Sequence, residues 1–319
     1  MSTRVLVTGA GGDTAQGVIR ALRREVHGYI IASVCINEFS AGLFMSDISE
    51  IAPPYIQEKA YVEFLIKFVN KHSIDIIIPT IDGELSLICR SQEIIESKTK
   101  AKVIIGSLKS MMICADKLTT SKYLKSKNID QPETMIAKEA DLIKQRIMSG
   151  EKIIMKPRVG GGSKGIRILH SKNILGVEWQ NDDFIYQSFD KYTKEFTAVV
   201  MKNDNEIVAT AVFERLLVGG RTTWCKRVPS ESYNPMLYNI SGGLDIPYLN
   251  IQFGMINKSY NVFDLNPRFS GSTGSFSLIF NGPHLLAQKY HRGVMPFFLD
   301  ENNYFESVRY LDEFIIHRN

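Results

Sequence analysis

The sequence predicts an α/β protein, with an open parallel sheet in an amino-terminal domain and a two-lobed α+β domain after it. The first third alternates short apolar strands with helical segments, the pattern of a parallel sheet with right-handed crossovers. From about residue 111, hairpins and long strands replace this alternation. A glycine-rich loop between two strands, at residues 159–166, marks the smaller lobe.

The alternating region is predicted from its hydrophobic periodicity. The first helix shows this best, because Ala15, Val18, Ile19 and Leu22 recur three and four residues apart and therefore share one face. The predicted strands are residues 4–8, 29–36, 74–80 and 102–106, and the predicted helices are residues 14–24, 61–70 and 84–96.

The composition is that of a globular protein of about two or three domains. Of 319 residues, 44% are apolar and 23% are charged, and the net charge of +4 is too small to indicate nucleic-acid binding. Four scattered cysteines without a CxxC pair predict neither a zinc site nor disulfides. No signal peptide and no apolar run of roughly 20 residues is present, so we expect a cytoplasmic protein that does not bind membranes.

The glycine turn after the first strand invites a dinucleotide-binding interpretation. Its glycines, at positions 9, 11, 12 and 17, do not fit GxGxxG because position 14 is Thr, and Glu38 after the second strand is a weak signal. We favour a tight turn that only glycine tolerates, although the following helix terminus can still bind an anion. Asp82 follows the third strand, where it is expected either to face a ligand or to cap the next helix.

Two lysines and the glycine-rich loop predict a polyphosphate site. Lys117 lies in the opening of a helix predicted over residues 113–127, where the helix dipole disfavours a cation, so its partner is either a phosphate or solvent. Lys156 closes the strand over residues 151–157, beside the loop. Consecutive glycines leave backbone N–H groups free to approach phosphates. The candidate loop ligands are Gly160, Gly161, Gly162, Ser163 and Gly165.

The following strands predict a nucleotide hinge and a charged sheet. A short polar segment between two strands is typical of a hinge that lines a base, and Glu195 is placed to bond a ribose hydroxyl. Arg215 lies on the first of two longer strands, and the adjacent pair Lys226 and Arg227 lies on the second, so one of that pair faces the cleft and the other faces solvent. The four strands are residues 184–189, 193–201, 206–218 and 221–228.

A predicted hairpin, with strands at residues 250–256 and 260–265, supplies an oxygen-rich site. Asp264 and Asn266 are two residues apart and therefore share one face, and Gln252 lies on the paired strand. A carboxylate with amide oxygens suits a hard cation such as Mg²⁺. Arg268 would project near the same place as a donor for a phosphate or a carboxylate.

In this order and spacing, the motifs resemble those of the ATP-grasp superfamily. The chain is most similar to one ATP-grasp unit of the carbamoyl-phosphate synthetase large subunit and to related single-unit carboxylate–amine ligases. The resemblance implies a Rossmann-like domain over residues 1–112, a small lobe with the glycine loop over residues 113–186, and a large lobe with the metal site over residues 187–319.

The resemblance also implies a role for each motif. The ATP phosphates would lie on the two lysines and the glycine loop, the adenine on the hinge, and the metal on the hairpin. Arg268 would steady the acyl phosphate, and Lys156 and Arg268 would be the catalytic residues. The implied ATP ligands beyond the loop are Lys117, Lys156, Gln187, Ser188, Phe189, Glu195 and Lys226, and the implied ligands of Mg²⁺, or of Mn²⁺ in its place, are Gln252, Asp264 and Asn266.

Three features refine the resemblance. The family usually has Glu where Asp264 stands, and the shorter side chain leaves open whether one or two metals bind. A single unit without an amidotransferase part argues against carbamoyl phosphate synthesis. The segment Ser270, Gly271 and Ser272 would face the acceptor substrate, with Arg215 as a further contact, or else cap a helix.

The expected reaction is the ATP-dependent activation of a small carboxylate or amino acid as an acyl phosphate. An amine or a thiol then attacks the acyl phosphate, which releases phosphate after the ADP. The expected partners are therefore small-molecule carboxylate and amine substrates, and a homodimer is compatible with the sequence. Two alternatives stay open: an ATP-binding regulatory module that has lost its chemistry, favoured by the short Asp264, and an NAD-dependent oxidoreductase built on the first domain.

Overall fold

The structure is a computed structural model. It describes residues 2–26, 28–160, 165–174, 176–177, 179, 181–189, 191–296, 299, 303–310 and 313. These residues form one parallel sheet and two antiparallel sheets, so the predicted α/β class is confirmed.

The amino-terminal domain is a parallel sheet covered by helices on both faces. Its central strand is buried along most of its length, which explains the continuous apolar run in the sequence. The strands are β1 (Thr3–Thr8), β2 (Tyr29–Cys35), β3 (Ile48–Ile51), β4 (Ile76–Ile78) and β5 (Lys102–Val103), in the order β3-β2-β1-β4-β5. The helices are α1 (Asp13–Arg23), α2 (Ala41–Phe44), α3 (Glu58–His72) and α4 (Asp82–Lys98). The sequence did not predict β3, because its four residues alternate only between half-buried and exposed positions.

The glycine turn between β1 and α1 is packed against protein on both sides. Gly9 has a φ of +64°, and a Cβ there would lie 2.3 Å from the Cγ1 of Ile81. On the other side, a Cβ on Gly42 of α2 would lie 2.2 Å from the carbonyl oxygen of Ala10. These close approaches support the interpretation of a structural turn.

The helix predicted over residues 113–127 is in fact two helices. They are α5 (Leu108–Ala115) and α6 (Lys117–Ser126), separated by an extended Asp116. The helix breaks there because Asp116 caps α6: its carboxylate accepts a hydrogen bond of 2.9 Å from the backbone N–H of Leu118. Lys117 is therefore the first residue of α6.

The small lobe is a four-stranded antiparallel sheet with one helix against it. A short 3-10 turn, Ala137–Glu139, leads into α7 (Ala140–Met148), whose Ile143 and Ile147 are buried against the sheet. The strands are β6 (Thr134–Met135), β7 (Ile153–Pro157), β8 (Arg167–Leu169) and β9 (Phe184–Ser188), in the order β6-β9-β7-β8.

The large lobe is a six-stranded antiparallel sheet that contains the predicted hairpin. The hairpin turn has two residues, Asn257 and Lys258, with φ of 49° and 68°. It is one residue shorter than predicted, because Ser259 pairs with Ile256 in the ladder. The strands are β10 (Lys194–Asn203), β11 (Glu206–Val218), β12 (Arg221–Val228), β13 (Tyr248–Ile256), β14 (Ser259–Asn266) and β15 (Glu306–Val308), in the order β14-β13-β10-β11-β12-β15.

Three helices complete this lobe: α8 (Asn234–Gly242), α9 (Thr273–Phe276) and α10 (Gly282–Arg292). Gly282 and Pro283 form the first turn of α10, where the missing N–H of proline costs nothing.

One hydrophobic core joins the parallel sheet to the large antiparallel sheet. It includes Val5 and Val7 of β1, Phe213 of β11 and Tyr248 of β13, with residues of α1 and α10. Phe305 packs on this core, with its ring 5.5 Å from that of Phe213. Among the described residues, no helix combines the length and the hydropathy that crossing a bilayer requires.

Candidate active site

A cavity of about 680 Å³ lies where the three sheets meet, which is the size of a pocket for small molecules. Residues from all the predicted motifs line it, together with Gly12, Asp13 and Thr14 from the start of α1. The predicted ligands in its wall are Lys117, Lys156, Gly160, Gln187, Ser188, Phe189, Glu195, Arg215, Gln252, Asp264, Asn266, Arg268, Ser270, Gly271 and Ser272.

Lys117 is held at the start of α6 by contacts to the small lobe. Its backbone N–H donates to the carbonyl of Arg158 at 2.9 Å, and its Nζ donates to the carbonyl of Gly160 at 2.5 Å. Arg158 in turn forms an ion pair with Asp116, the cap of α6. The helix start, the lysine and the glycine loop are thus fixed to one another, which places an ammonium group beside the loop.

Lys156 is a buried cation in the cavity wall. Its side chain extends from β7 and the residue is only 8% exposed. Burial lowers the pKa of Lys156 to about 8; nearby Asp264 opposes this shift and Lys117 adds to it. An anionic ligand would favour the charged form, so the site is suited to a phosphate.

The glycine loop is described only at its two ends. Gly160 lines the cavity with a φ of +121°. Gly165, with a φ of +73°, instead packs on Pro157, where a Cβ would lie 2.9 Å from Cγ. The predicted ligands Gly161, Gly162 and Ser163 fall outside the described residues.

The hinge after β9 forms an aromatic end of the cavity. Gln187 is fixed by a hydrogen bond of 2.7 Å from its Nε2 to the Oγ1 of Thr134. Phe189 lines the cavity with Tyr192 and Phe263, whose rings stack at 5.4 Å with an interplanar angle of 20°. The sequence reasoning did not single out Tyr192 or Phe263, although Phe263 directly precedes Asp264.

The predicted metal ligands converge as the hairpin register requires. Gln252 lies directly opposite Asp264 in the ladder, and the Nδ2 of Asn266 donates to the Oδ2 of Asp264 at 3.1 Å. The site has a single carboxylate, and the described residues contain no cluster of three or more histidine, cysteine, aspartate or glutamate side chains. One carboxylate with two amides fits a Mg²⁺ ion that also bonds phosphate oxygens, which is how this ion is usually held.

The buried Arg215 and the half-buried Glu195 form an ion pair beside this site. Arg215 is 8% exposed, its Nη2 donates to the Oε1 of Gln252 at 2.9 Å, and it lies 3.6 Å from the Oε2 of Glu195. Burial lowers the pKa of Arg215, while Glu195 and Asp264 oppose the shift. The Nε of Arg215 and the Oε2 of Glu195 are buried without a hydrogen-bond partner, so this pair can still accept polar ligand groups.

Arg268 is clamped by the amino-terminal domain. Its guanidinium makes two parallel hydrogen bonds to the carboxylate of Asp82, at 2.6 and 2.5 Å, and a third of 2.7 Å to the carbonyl of Phe269. Asp82 thus orients an arginine of the other domain, a role that neither interpretation of the sequence included.

The loop after Arg268 both lines the cavity and shapes the start of a helix. Ser270 and Ser272 line the cavity, and the Oγ1 of Thr273 accepts the backbone N–H of Ser270 at 2.9 Å, so the loop also shapes the start of α9. Facing this loop are Asp13, Arg221 and Arg309, none of which the sequence reasoning included. The only signal for them was the glycine turn that opens α1.

Lys226 is not among the residues that line the cavity. Its Nζ lies 3.4 Å from Glu306 of β15, and the neighbouring Arg227 donates to the carbonyl of Asn303 at 2.7 Å. Both side chains contact residues 303–306, because β15 pairs with β12 as the next strand of the sheet. The structure therefore does not bring Lys226 to the cavity, and its assignment to the nucleotide stays a prediction.

A small lobe with a glycine-rich hairpin, set over a large antiparallel sheet and preceded by a parallel-sheet domain, is the architecture of an ATP-grasp protein. Residues 114–218 match the family model described as "ATP-grasp domain", and residues 5–104 match the model described as "PylC-like, N-terminal domain". The chain therefore contains an ATP-grasp domain, preceded by a PylC-like amino-terminal domain.

Solved structures show the same fold at low sequence identity. N5-carboxyaminoimidazole synthetase from Staphylococcus aureus, complexed with ADP, has a TM-score of 0.67 at 17% identity, over 87% of this chain and 74% of that one. The biotin carboxylase domain of Hydrogenobacter thermophilus 2-oxoglutarate carboxylase, with MgADP and bicarbonate, has a TM-score of 0.69 at 15% identity, over 95% and 73%. Biotin carboxylase from Campylobacter jejuni has a TM-score of 0.71 at 13% identity, over the same shares. No curated protein matches the chain.

Proposed function

We propose that the protein is an ATP-dependent, ADP-forming carboxylate–amine ligase that works through an acyl phosphate. The observation that carries the proposal is the single cavity that brings Lys117 and Lys156 together with Asp264, Asn266 and Arg268. Phosphate-binding cations, a hard-metal site and an anchored guanidinium are the groups that phosphoryl transfer to a carboxylate requires. Two of the similar structures named above were solved with ADP or MgADP bound, which supports a nucleotide in this cavity.

The lysines and the loop bind the nucleotide in this proposal. Lys156 and Lys117 offset the charge of the phosphates, and the loop from Gly160 covers them with backbone N–H groups. The adenine lies at the hinge, against Phe189 and the stacked Tyr192 and Phe263. Glu195, with one buried carboxylate oxygen unpartnered, is available to accept a ribose hydroxyl.

The chemistry takes place at the hairpin end of the phosphates. Gln252, Asp264 and Asn266 would hold Mg²⁺, which supplies Lewis-acid neutralisation of phosphate charge when bound. A substrate carboxylate oxygen bonds the γ-phosphorus while the bond from that phosphorus to the β,γ-bridging oxygen breaks, and ADP leaves. Arg215 and Arg268 stabilise the negative oxygens of the acyl phosphate.

The second step needs no protein nucleophile. An amine attacks the acyl carbon, the carbon–oxygen bond to phosphate breaks, and the amine proton passes to solvent. A thiol is a second acceptor compatible with the same step. The described lining of the cavity includes neither a histidine nor a cysteine side chain, so catalysis rests on positioning and electrostatics. The single carboxylate of the metal site favours one resident Mg²⁺ over two, with Mn²⁺ as a substitute.

The test is the product released from MgATP in the presence of mixed small carboxylates and amines. Substrate-dependent release of phosphate with ADP is the expected result. Release of pyrophosphate would instead mean adenylation of the carboxylate and would overturn the acyl phosphate. Binding of ATP without any turnover, measured by calorimetry, would favour a regulatory nucleotide-binding module.

The variant Asp264→Asn checks that turnover comes from this site. It removes the one carboxylate offered to the metal, so turnover should fall on the order of a hundredfold at low Mg²⁺ and recover partly at high Mg²⁺. A thermal melt recorded beside the assay separates this loss from a loss of folding. The melting temperature should fall only modestly, because Asp264 lies near the buried cations Lys156 and Arg215 and its removal leaves their charges less compensated.

A further inference from the structure

The cavity has a second cationic region that the nucleotide does not occupy in the proposal above. It lies between the start of α1, the loop Ser270–Ser272 and the segments around Arg221 and Arg309. The region is assembled from both domains, since Asp13 belongs to the first and the two arginines belong to the large lobe. We term it the acceptor end, defined by Asp13, Thr14, Arg221, Gly271 and Arg309.

Among the residues that the structure describes, the charges at the acceptor end do not balance. Arg309 donates to the Oδ2 of Asp13 and, at 2.8 Å, to the carbonyl of Gly271. The Nε of Arg221 lies 3.6 Å from the same oxygen of Asp13. Two guanidinium groups therefore share one carboxylate, which leaves one positive charge facing the cavity. Burial lowers the pKa of Arg20, and repulsion from the nearby Arg309 lowers it further. Arg20 therefore adds to the positive potential at this end of the cavity.

Backbone donors add to this excess of positive charge. The first N–H groups of a helix have no acceptor within it, and no side chain caps α1 at Gly12. Residues Gly12, Asp13 and Thr14 line the cavity, so these donors lie at its wall. The helix dipole further favours an anion there.

Arg215 gives independent support for an anionic ligand in the same cavity. This guanidinium is more than nine-tenths buried, lines the cavity, and keeps its Nε without an acceptor among the described residues. A buried donor left unpaired costs free energy that a ligand oxygen would recover. Arg215 lies at the end of the cavity assigned above to the acyl phosphate, and the acceptor end adds its own donors on Arg221, Arg309 and the start of α1.

We propose that the acceptor end binds a carboxylate or phosphate group of a substrate other than ATP. This anionic group is separate from the carboxylate or amine of that substrate that reacts. This inference rests on the proposed ligase function and adds a substrate class to it. A substrate of this class is an amino acid, a dicarboxylate or a phosphorylated amine, whereas a plain monocarboxylate or a plain amine leaves Arg309 and Arg221 without an anion.

Matched pairs of substrates test the class directly. Release of ADP is compared for succinate against butyrate, β-alanine against propylamine, and phosphoethanolamine against ethanolamine, each with a mixture of the complementary substrate type. The expected result is that at least one member with the remote anion exceeds its partner in kcat/KM by about tenfold or more. Equal or better activity with the uncharged partners overturns the proposal. The pairs also separate a carboxylate from a phosphate as the preferred anion.

The variant Arg309→Met tests the site, with Arg24→Met as its matched control. Both arginines donate to backbone carbonyls, Arg309 to that of Gly271 in the loop and Arg24 to that of Gly274 in α9, but of the two only Arg309 lines the cavity. Arg309→Met should raise KM for the anionic substrate by roughly tenfold to a hundredfold and leave KM for ATP unchanged. Arg24→Met should change neither value. Equal increases in both KM values for Arg309→Met would contradict the assignment.

A binding measurement keeps this inference separate from the ligase function. Succinate, β-alanine and phosphoethanolamine are titrated calorimetrically into the MgADP-loaded protein and into both variants. Binding that Arg309→Met abolishes and Arg24→Met retains supports the acceptor end even where no ADP is released, and only the ligase function then fails. No binding by any of the three compounds overturns the inference.

Discussion

The two ends of the cavity carry the same sign of charge but hold it in different ways. At the phosphate end, Lys117 donates to a backbone carbonyl and Lys156 is buried, and both come from the segment between α6 and the glycine loop. At the acceptor end, Arg309 is held by Asp13 of the amino-terminal domain. Arg268, which precedes the loop Ser270–Ser272, is held in the same way by Asp82 of that domain.

This difference separates binding that all substrates share from binding that selects one substrate. The cations of the phosphate end come from one stretch of the chain, residues 117–160, and are left for the ligand to neutralise. The acceptor end depends on carboxylates that fix arginine geometry across a domain boundary, which suits recognition of one substrate shape. Changes to the first end should therefore affect all substrates alike, and changes to the second should affect the acceptor selectively.

The largest effect is expected for Lys156→Met. Turnover should fall by about a hundredfold to a thousandfold with every acceptor, because a cation aimed at the phosphates is lost. The melting temperature should rise at neutral pH, because a lysine whose pKa is lowered to about 8 by burial costs the folded state roughly 3 kcal/mol when ionised. Turnover assays and thermal melts check the two signs, with the exposed Lys152→Met as the control. Near-normal turnover would remove Lys156 from the phosphate site.

The next effect is expected for Asp82→Asn. Arg268 would lose its bidentate carboxylate, so we expect kcat to fall roughly tenfold while KM for ATP stays unchanged. The pair is mostly buried, with side-chain exposures of 13% and 29%, so the melting temperature should also fall. Glu58→Gln, which breaks an exposed ion pair with Arg90 in the same domain, serves as the control and should have little effect. A rise confined to KM for ATP would mean that Arg268 serves the nucleotide.

A smaller effect is expected from pH, and only at the phosphate end. Since burial lowers the pKa of Lys156 to about 8, its charge is lost as pH rises through that value, and kcat/KM for ATP should fall severalfold. The contribution of Lys156 to the stability of the fold should instead rise with pH. Between pH 8 and the ordinary lysine value of 10.5 the unfolded chain binds a proton that the folded chain does not, so this residue's contribution to stability rises with pH. Lys156→Met should lack that rise in a series of thermal melts.

The smallest effect is expected at the aromatic hinge, for Gly254→Ala. A Cβ on Gly254 would lie 2.2 Å from the Cγ of Tyr192, so the ring must shift away from Phe263. KM for ATP should increase severalfold while the acceptor's KM stays the same, as measured by steady-state kinetics. A change in the acceptor's KM alone would place the nucleobase elsewhere.

The contrast between the two ends also explains what the sequence could predict. Lys156, Asp264 and Asn266 were found because strand alternation and short spacing carry their geometry, and the fold class followed from periodicity in the same way. The pairs Arg309–Asp13 and Arg268–Asp82 join residues 296 and 186 positions apart. No local pattern specifies such pairs, since they depend on how whole domains pack.

The sequence around Lys226 does not reveal the strand that lies beside it. Strand alternation places Lys226 on one face of β12, but β15, about 80 residues later in the chain, pairs with β12 and supplies Glu306 as a partner. The break at Asp116 was missed for the opposite reason: a capping aspartate was read as part of a continuous helix, although its chemistry was visible in the sequence.

Asp13 and Asp82 have one more consequence, for the exchange of domains between related proteins. The first domain contributes carboxylates to arginines of the large lobe, so a graft of this domain onto another ATP-grasp body would bring two negative charges without their partners. Modular recombination at this boundary therefore requires that positions 13 and 309, and positions 82 and 268, be inherited together.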